Sequence, residues 1–181
     1  MKVTNGWISN SSSSSFIVIA PGFPTLEEQK TASKWAKQML EDYTLDEDSY
    51  ESNLMVLPNY HIGETEFGWD ERTYKNLGDK LNFCAIQILE LKRYVDEGYE
   101  IYAKDELPFG LNIQLYEDML KDVCKTYMNI DIRLKYNEDC YIDHQSCSTE
   151  GENMDMFKDN DSLAKFLFNP ESHIVGDNDN H

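Results

Sequence analysis

Apolar residues recur at three- and four-residue steps in three long stretches of the chain, which is the spacing of one face of an α-helix. The first stretch, Thr25–Tyr43, opens with Thr25 and Glu28 in the arrangement of a capping box, in which each side chain bonds the other residue's amide. The second spans about Asp70–Glu97 and is followed by Gly98, a favoured residue just after a helix end. The third covers Leu111–Met128. The pattern therefore predicts three main helices.

Two further features concern the helix boundaries. Gly78 lies inside the second stretch, where a glycine costs about 1 kcal/mol against alanine, so a start nearer Asp79 is an alternative. A short fourth helix is predicted to begin at Asp161 or Ser162, with apolar residues facing inward, and to end at Phe168. It cannot continue further because Asn169 precedes a proline.

Short apolar or alternating runs between the helices predict strands. All five residues of Phe16–Ala20 are apolar or small, which predicts a central strand. Asn53–Leu57 is a second apolar run, closed by a proline. Apolar and polar residues alternate at the start of Ile130–Asp143, and a polar turn follows, so this segment is predicted to form a β-hairpin. Ser172–Val175 is the last predicted strand.

Together these elements predict an α+β fold, with three main helices packed on a small mixed or mostly antiparallel sheet. The chain has 181 residues, of which 40% are hydrophobic, so it is long and apolar enough for a real core. We expect a single domain with a polar acidic tail at about 176–181. Six residues taken from different apolar faces should be buried together: Val18, Trp35, Leu40, Leu81, Ile88 and Leu115.

The net charge of −18 comes from 34 Asp+Glu against 16 Lys+Arg. Nucleic acids and anionic membranes repel such a chain, and no basic patch predicts direct nucleic-acid binding. The acidic residues are concentrated near the C-terminal end, where Glu150, Glu152 and Asp155 are the predicted binding surface. Acidic surfaces commonly serve solubility alone, but this one could also bind a basic protein.

The four cysteines show neither a Cys-x-x-Cys pair nor the spacing of a zinc site. No signal peptide is recognisable, and no apolar run approaches the length of a membrane span. The sequence thus predicts free thiols in a reducing cytoplasm. No motif identifies a cofactor.

Polar residues that could carry chemistry occur in two segments near the C-terminal end. Asp143, His144, His173 and Asp177 are the catalytic candidates, and His144, Asp177 and Asp179 are the metal-ligand candidates. Asp143, His144, Ser146 and Cys147 are too close in sequence to form a catalytic triad by themselves. Asp177 and Asp179 resemble the opening of a calcium loop, but the glycine and glutamate of such a loop are missing. A structural role for these residues is the alternative.

The N-terminal segment Gly6–Phe16 contains five consecutive serines, Ser11–Ser15. It resembles a leader of many uncharacterised phage and prophage proteins, in which phenylalanine usually stands at the position of Trp7. Phe67–Trp69, Asp143–Ser146 and Asp177–Asn180 also look like parts of such proteins. The resemblance implies phage origin and no particular activity. The serines could form a flexible loop, an anion site or an acceptor for modification.

Charge and resemblance together lead to one functional expectation and one alternative. The expectation is a phage-encoded acidic accessory protein in the host cytoplasm, which acts without catalysis by binding another protein, with host factors among the candidates. The alternative is a small metal-dependent enzyme or hydrolase that uses His144 with C-terminal histidine and aspartate residues.

Overall fold

The computed structural model describes residues 13–43, 53–68, 71–99, 107–142 and 151–178. Its four α-helices are α1 (Leu26–Tyr43), α2 (Leu77–Glu97), α3 (Ile113–Met128) and α4 (Asn160–Phe168), and a 3₁₀ helix covers Gly151–Lys158. The strands are β1 (Ser13–Val18), β2 (Leu54–Leu57), β3 (Glu66–Phe67), β4 (Arg72–Tyr74), β5 (Asp131–Leu134), β6 (Tyr141–Ile142) and β7 (His173–Asn178).

The predicted α+β class is confirmed, although the strands form three small sheets. The largest has the order β1-β7-β4, and both of its strand pairs are antiparallel. The other two pairs, β2 with β5 and β3 with β6, are parallel. A cluster of buried residues draws side chains from all four helices and from most strands, so the small sheets and the helices share this core.

Helix α1 begins and ends where its sequence pattern predicts. The amide of Thr25 donates to Glu28 Oε2, and the amide of Glu28 donates to Thr25 Oγ1 over 3.3 Å, which completes the capping box. Ala32, Ala36 and Leu40 are buried on its inner face. The apolar stripe therefore holds α1 against the core.

Helix α2 is the central element of the fold. Every residue from Gly78 to Leu91 is buried, so the helix contacts other parts of the chain on all of its sides. It starts at Leu77, and Gly78 is therefore helical. Gly98 ends the helix in the left-handed conformation, with φ 73°, as predicted.

The predicted β-hairpin within Ile130–Asp143 is wrong. β5 pairs in parallel with β2, so that Ile132 stands beside Met55, and β6 pairs in parallel with β3. Alternation shows which face of a strand is buried but does not identify its partner. Here the apolar strand β2 provides a buried neighbour for β5, and the turn before Cys140 leads the chain to a different sheet.

The predicted central position of Phe16–Ala20 is also wrong. Within the described residues β1 lies at the edge of its sheet, where it pairs with β7 alone, and Val18 is only half-buried. The central strand is β7, which extends to Asn178 through part of the predicted tail. The residues at its end pair with the serines of β1, in the register Ser14↔Asp177.

Of the six residues predicted to be buried together, four contribute to the core and two do not. Leu40, Leu81 and Ile88 are buried in the main cluster, and Trp35 packs against it half-buried. Leu115 is 44% exposed, because the buried face of α3 carries Tyr116, Leu120, Val123, Cys124 and Met128 instead. Val18 lies outside the cluster.

The fourth helix is confirmed with an earlier start. Asp159 is its N-cap and accepts a hydrogen bond from the amide of Ser162 over 2.7 Å, in place of the predicted Asp161 or Ser162. The predicted inward residues Leu163, Phe166 and Leu167 are buried. No helix in the described ranges combines the length and apolarity needed to cross a bilayer.

Candidate functional site

The C-terminal polar candidates divide between described and undescribed parts of the chain. Asp143, His144, Glu150 and Asp179 lie outside the described residues. His173 and Asp177 lie in β7, four residues apart. Strand geometry places their Cα atoms about 13 Å apart.

His173 has a local structural role. Its Nδ1 lies 2.8 Å from the carbonyl oxygen of Glu171, and its backbone pairs with Val18. Within the described residues, no three histidine, cysteine or carboxylate side chains are grouped closely enough to hold a metal ion. The metal candidate His144 therefore remains a prediction.

The acidic candidates lie around the start of α4. Glu152 belongs to the 3₁₀ helix, and Asp155 in the same helix is exposed. Asp159 and Asp161 follow within six residues and are also exposed. We call Asp155, Asp159 and Asp161 the acidic surface. The hydrogen bond from the Ser162 amide lowers the pKa of Asp159, so the cap favours its charged form.

A cleft on another side of the molecule was not predicted from the sequence. It encloses about 540 Å³, which is within the usual size of small-molecule sites. Its walls come from α1, from the turn at Ile62, from the start of α2 and from the end of α4. The residues that line it are Glu28, Thr31, Ala32, Trp35, Met39, His61, Ile62, Lys75, Asn76, Leu77, Gly78, Lys80, Leu167, Phe168 and Pro170.

Lys80 is the least expected of these residues because it is 2% exposed. Its Nζ donates to the carbonyl oxygens of Asn169 and Ser172 over 3.1 and 3.3 Å. Loss of water by burial lowers the pKa of Lys80 to about 8, although Cys84 and Asp79 oppose this shift. The ammonium group therefore joins α2 to the segment that follows α4.

Two more polar residues of α2 hold the opposite wall. The side chain of Asn82 accepts from the Asn59 amide and donates to the carbonyl oxygens of Asn59 and Glu64, each over 2.9 Å. Asp79 Oδ1 accepts from the amide of Glu64 over 2.8 Å. The loop between β2 and β3 is thereby fixed against α2, which positions Ile62 and His61 at the cleft.

The segment after α4 is fixed in the same way. Ser172 is fully buried, and its hydroxyl accepts from the Ala20 amide and donates to the carbonyl oxygen of Lys165. Asn169 Nδ2 donates to the carbonyl oxygen of Gly22 over 2.9 Å. The wall formed by Phe168 and Pro170 is therefore built by hydrogen bonds that involve four separate parts of the chain.

The sequence analysis missed Lys80, Asn82 and Asp79 for a physical reason. An apolar stripe reports one buried face of a helix, and polar residues between the stripe positions are normally exposed. In α2 the opposite face is covered as well, so these polar residues are buried. Gly78 could have indicated that the second face of α2 is covered, because a glycine inside a helix often marks a close approach of another backbone.

Comparison with known proteins identifies no relative. No family model, no curated protein and no solved structure matches the chain.

Proposed function

We propose that this chain is a non-enzymatic acidic protein that acts by binding a basic surface of another protein. The observation that supports this function is the exposure of the acidic surface, which consists of Asp155, Asp159 and Asp161. All three are exposed, and none belongs to an ion pair within the described parts of the chain. Their charge is therefore available to a partner.

Two properties make this surface suited to recognition. Asp159 is held in one conformation by its hydrogen bond to Ser162, so part of the charge has a fixed position. The chain as a whole carries −18, which attracts a basic partner over longer distances and speeds association. A partner that normally binds nucleic acid would present the complementary charge.

The resemblance of the N-terminal leader to phage and prophage proteins supports a phage origin. The host cytoplasm is then the place of action and a host protein the partner.

The test is direct binding to a labelled lysine- and arginine-rich peptide, measured by fluorescence anisotropy at several salt concentrations. In the first variant, Glu152→Lys, Asp155→Lys and Asp161→Lys reverse three charges near α4. In the matched control, Glu71→Lys, Asp96→Lys and Glu97→Lys make the same charge change at exposed positions elsewhere. We expect the first variant to bind at least about tenfold more weakly, which corresponds to about 1.4 kcal/mol.

Asp159→Asn separates the effect of the charge from the effect of the helix cap. Asparagine also caps helices well, but it carries no charge. We expect weaker binding with only a small decrease in the unfolding midpoint. Equal weakening in the two triple variants would show that only total charge matters, and binding indifferent to salt would exclude an electrostatic surface altogether.

A further inference from the structure

We propose that the cleft between α1, α2 and α4 binds a small amphipathic anion. The apolar body of this ligand would lie on the floor of the cleft, and its single carboxylate, sulfonate or phosphate group would face Lys75. This inference is independent of the acidic surface and of the protein partner.

The floor of the cleft is apolar. Trp35 and Met39 of α1 line the cleft together with Leu77 of α2 and Phe168 of α4. The Phe168 ring stacks on Tyr127, with ring centroids 4.9 Å apart and planes inclined by 19°. An aromatic or aliphatic ligand would replace water on this surface, at roughly 25 cal/mol per Å² of apolar area buried.

The charge of the cleft is opposite to that of the chain. Lys75 and Lys80 line it, against the single carboxylate of Glu28 among its lining residues. Lys75 is exposed and belongs to no ion pair among the residues that the structure describes. Lys80 is already engaged by two carbonyl oxygens, so we assign recognition of the anion to Lys75.

The positive charge of the cleft is local, because the net charge of the whole chain is −18. This contrast also limits the size of the ligand. A polyanion or an acidic protein would extend beyond the cleft, where the net negative charge of the chain would repel it. A single anionic group stays close to Lys75. The volume of about 540 Å³ fits such a ligand.

The cleft walls are formed before any ligand binds. Asn82, Asp79 and Lys80 fix both walls against α2 through hydrogen bonds to backbone groups. A ligand therefore meets ordered side chains and loses little affinity to loop ordering.

The experiment compares two dyes with the same aromatic skeleton. 8-Anilinonaphthalene-1-sulfonate carries the anionic group, and N-phenyl-1-naphthylamine lacks it. Both fluoresce more strongly in apolar sites, so each can be titrated into the folded protein. We expect saturable 1:1 binding of the sulfonate and at least about fivefold weaker binding of the neutral dye.

Three variants locate the site. Lys75→Gln should weaken sulfonate binding about fivefold and leave the neutral dye unchanged. Lys37→Gln removes the same charge from an exposed position of α1 outside the cleft and should change neither dye. Thr31→Trp places a bulky ring at the exposed rim and should block both dyes.

Each contrary result overturns the proposal. Equal affinity for the two dyes in the wild type would show a purely apolar surface, and equal effects of Lys75→Gln and Lys37→Gln would show attraction to overall charge. Sulfonate binding that is not saturable, or that persists in Thr31→Trp, would place the dye elsewhere. Circular dichroism and the unfolding midpoint establish that each variant is folded, and Thr31→Leu replaces Thr31→Trp if the larger residue unfolds the chain.

Discussion

The backbone of Gly78 in α2 packs directly against the carbonyl group of Ile62. A side-chain carbon placed on Gly78 would lie 1.8 Å from the Ile62 oxygen, and one placed on Gly63 would lie 2.4 Å from the amide nitrogen of Asp79. Two glycines therefore permit the loop after β2 to cross the first turn of α2. This crossing forms one wall of the cleft.

Gly78→Ala should destabilise the protein although alanine is the better helix former by about 1 kcal/mol. The added carbon meets a backbone oxygen, which cannot rotate away, so the loop must shift. We expect a loss of about 3 kcal/mol in the free energy of unfolding, at the upper end of overpacking. Gly98→Ala is the control: its left-handed backbone costs about 1 kcal/mol, but the described residues place no atom of another segment within 4 Å of the added carbon. Urea denaturation that gave both variants the same loss would contradict the close crossing.

Leu81→Ala and Leu115→Ala should differ strongly although each removes the same atoms. Leu81 is fully buried in the main cluster, whereas Leu115 is 44% exposed. The first substitution should cost about 2–5 kcal/mol, because it removes apolar contacts and leaves a cavity. The second should change stability by less than about 0.5 kcal/mol. Thermal or urea unfolding of both variants measures the difference between their losses of stability. An unchanged midpoint for Leu81→Ala would contradict the burial of Leu81 in the core.

The sequence allowed correct prediction of features that depend on neighbouring residues. The capping box of Thr25 and Glu28, the left-handed end at Gly98 and the inward face of α4 all follow from local geometry. Helix ends are specified by side chains within one turn of the end, so a single sequence contains the necessary information.

Features that depend on distant residues were not predictable in the same way. The alternation of β5 gave no indication that β2, more than seventy residues earlier, would be its partner. Likewise, the burial of Lys80 follows from the segment after α4, which supplies both of its carbonyl acceptors. The cleft is assembled from four separate parts of the chain, so no short pattern in the sequence could reveal it.

Asp159→Ala should remove the N-cap of α4. The amide of Ser162 would lose its acceptor, at a typical cost of about 1 kcal/mol, while Asp159→Asn should cost less because asparagine can accept the same bond. The pKa of Asp159 is lowered in the folded state, so its stabilising effect is present above the ordinary aspartate pKa and is lost on acidification. Urea unfolding at neutral and acidic pH should show the difference between wild type and Asp159→Ala shrinking as the pH falls. A difference independent of pH would contradict this role of the carboxylate.

Lys80→Met should change how stability depends on pH. The pKa of Lys80 is about 8 in the folded protein and near 10.5 in the unfolded chain. Between these values the unfolded chain binds more protons at this residue, so its contribution to the free energy of unfolding rises with pH. From pH 7 to pH 9.5 the wild type should gain about 2 kcal/mol relative to Lys80→Met, since one pKa unit corresponds to about 1.4 kcal/mol.

The quantity to measure is the difference in free energy of unfolding between wild type and Lys80→Met at each pH. This difference is needed because other groups titrate in the same pH range. Burial raises the pKa values of Cys84 and Cys124, which makes the wild type itself less stable as the pH rises. These thiols are present in both chains, so their effect largely cancels in the difference between the urea unfolding curves. Lys37→Met at an exposed position should show no such gain. If the difference between wild type and Lys80→Met stayed constant from pH 7 to pH 9.5, Lys80 would remain fully charged in the fold, and its two carbonyl partners would then outweigh its loss of water.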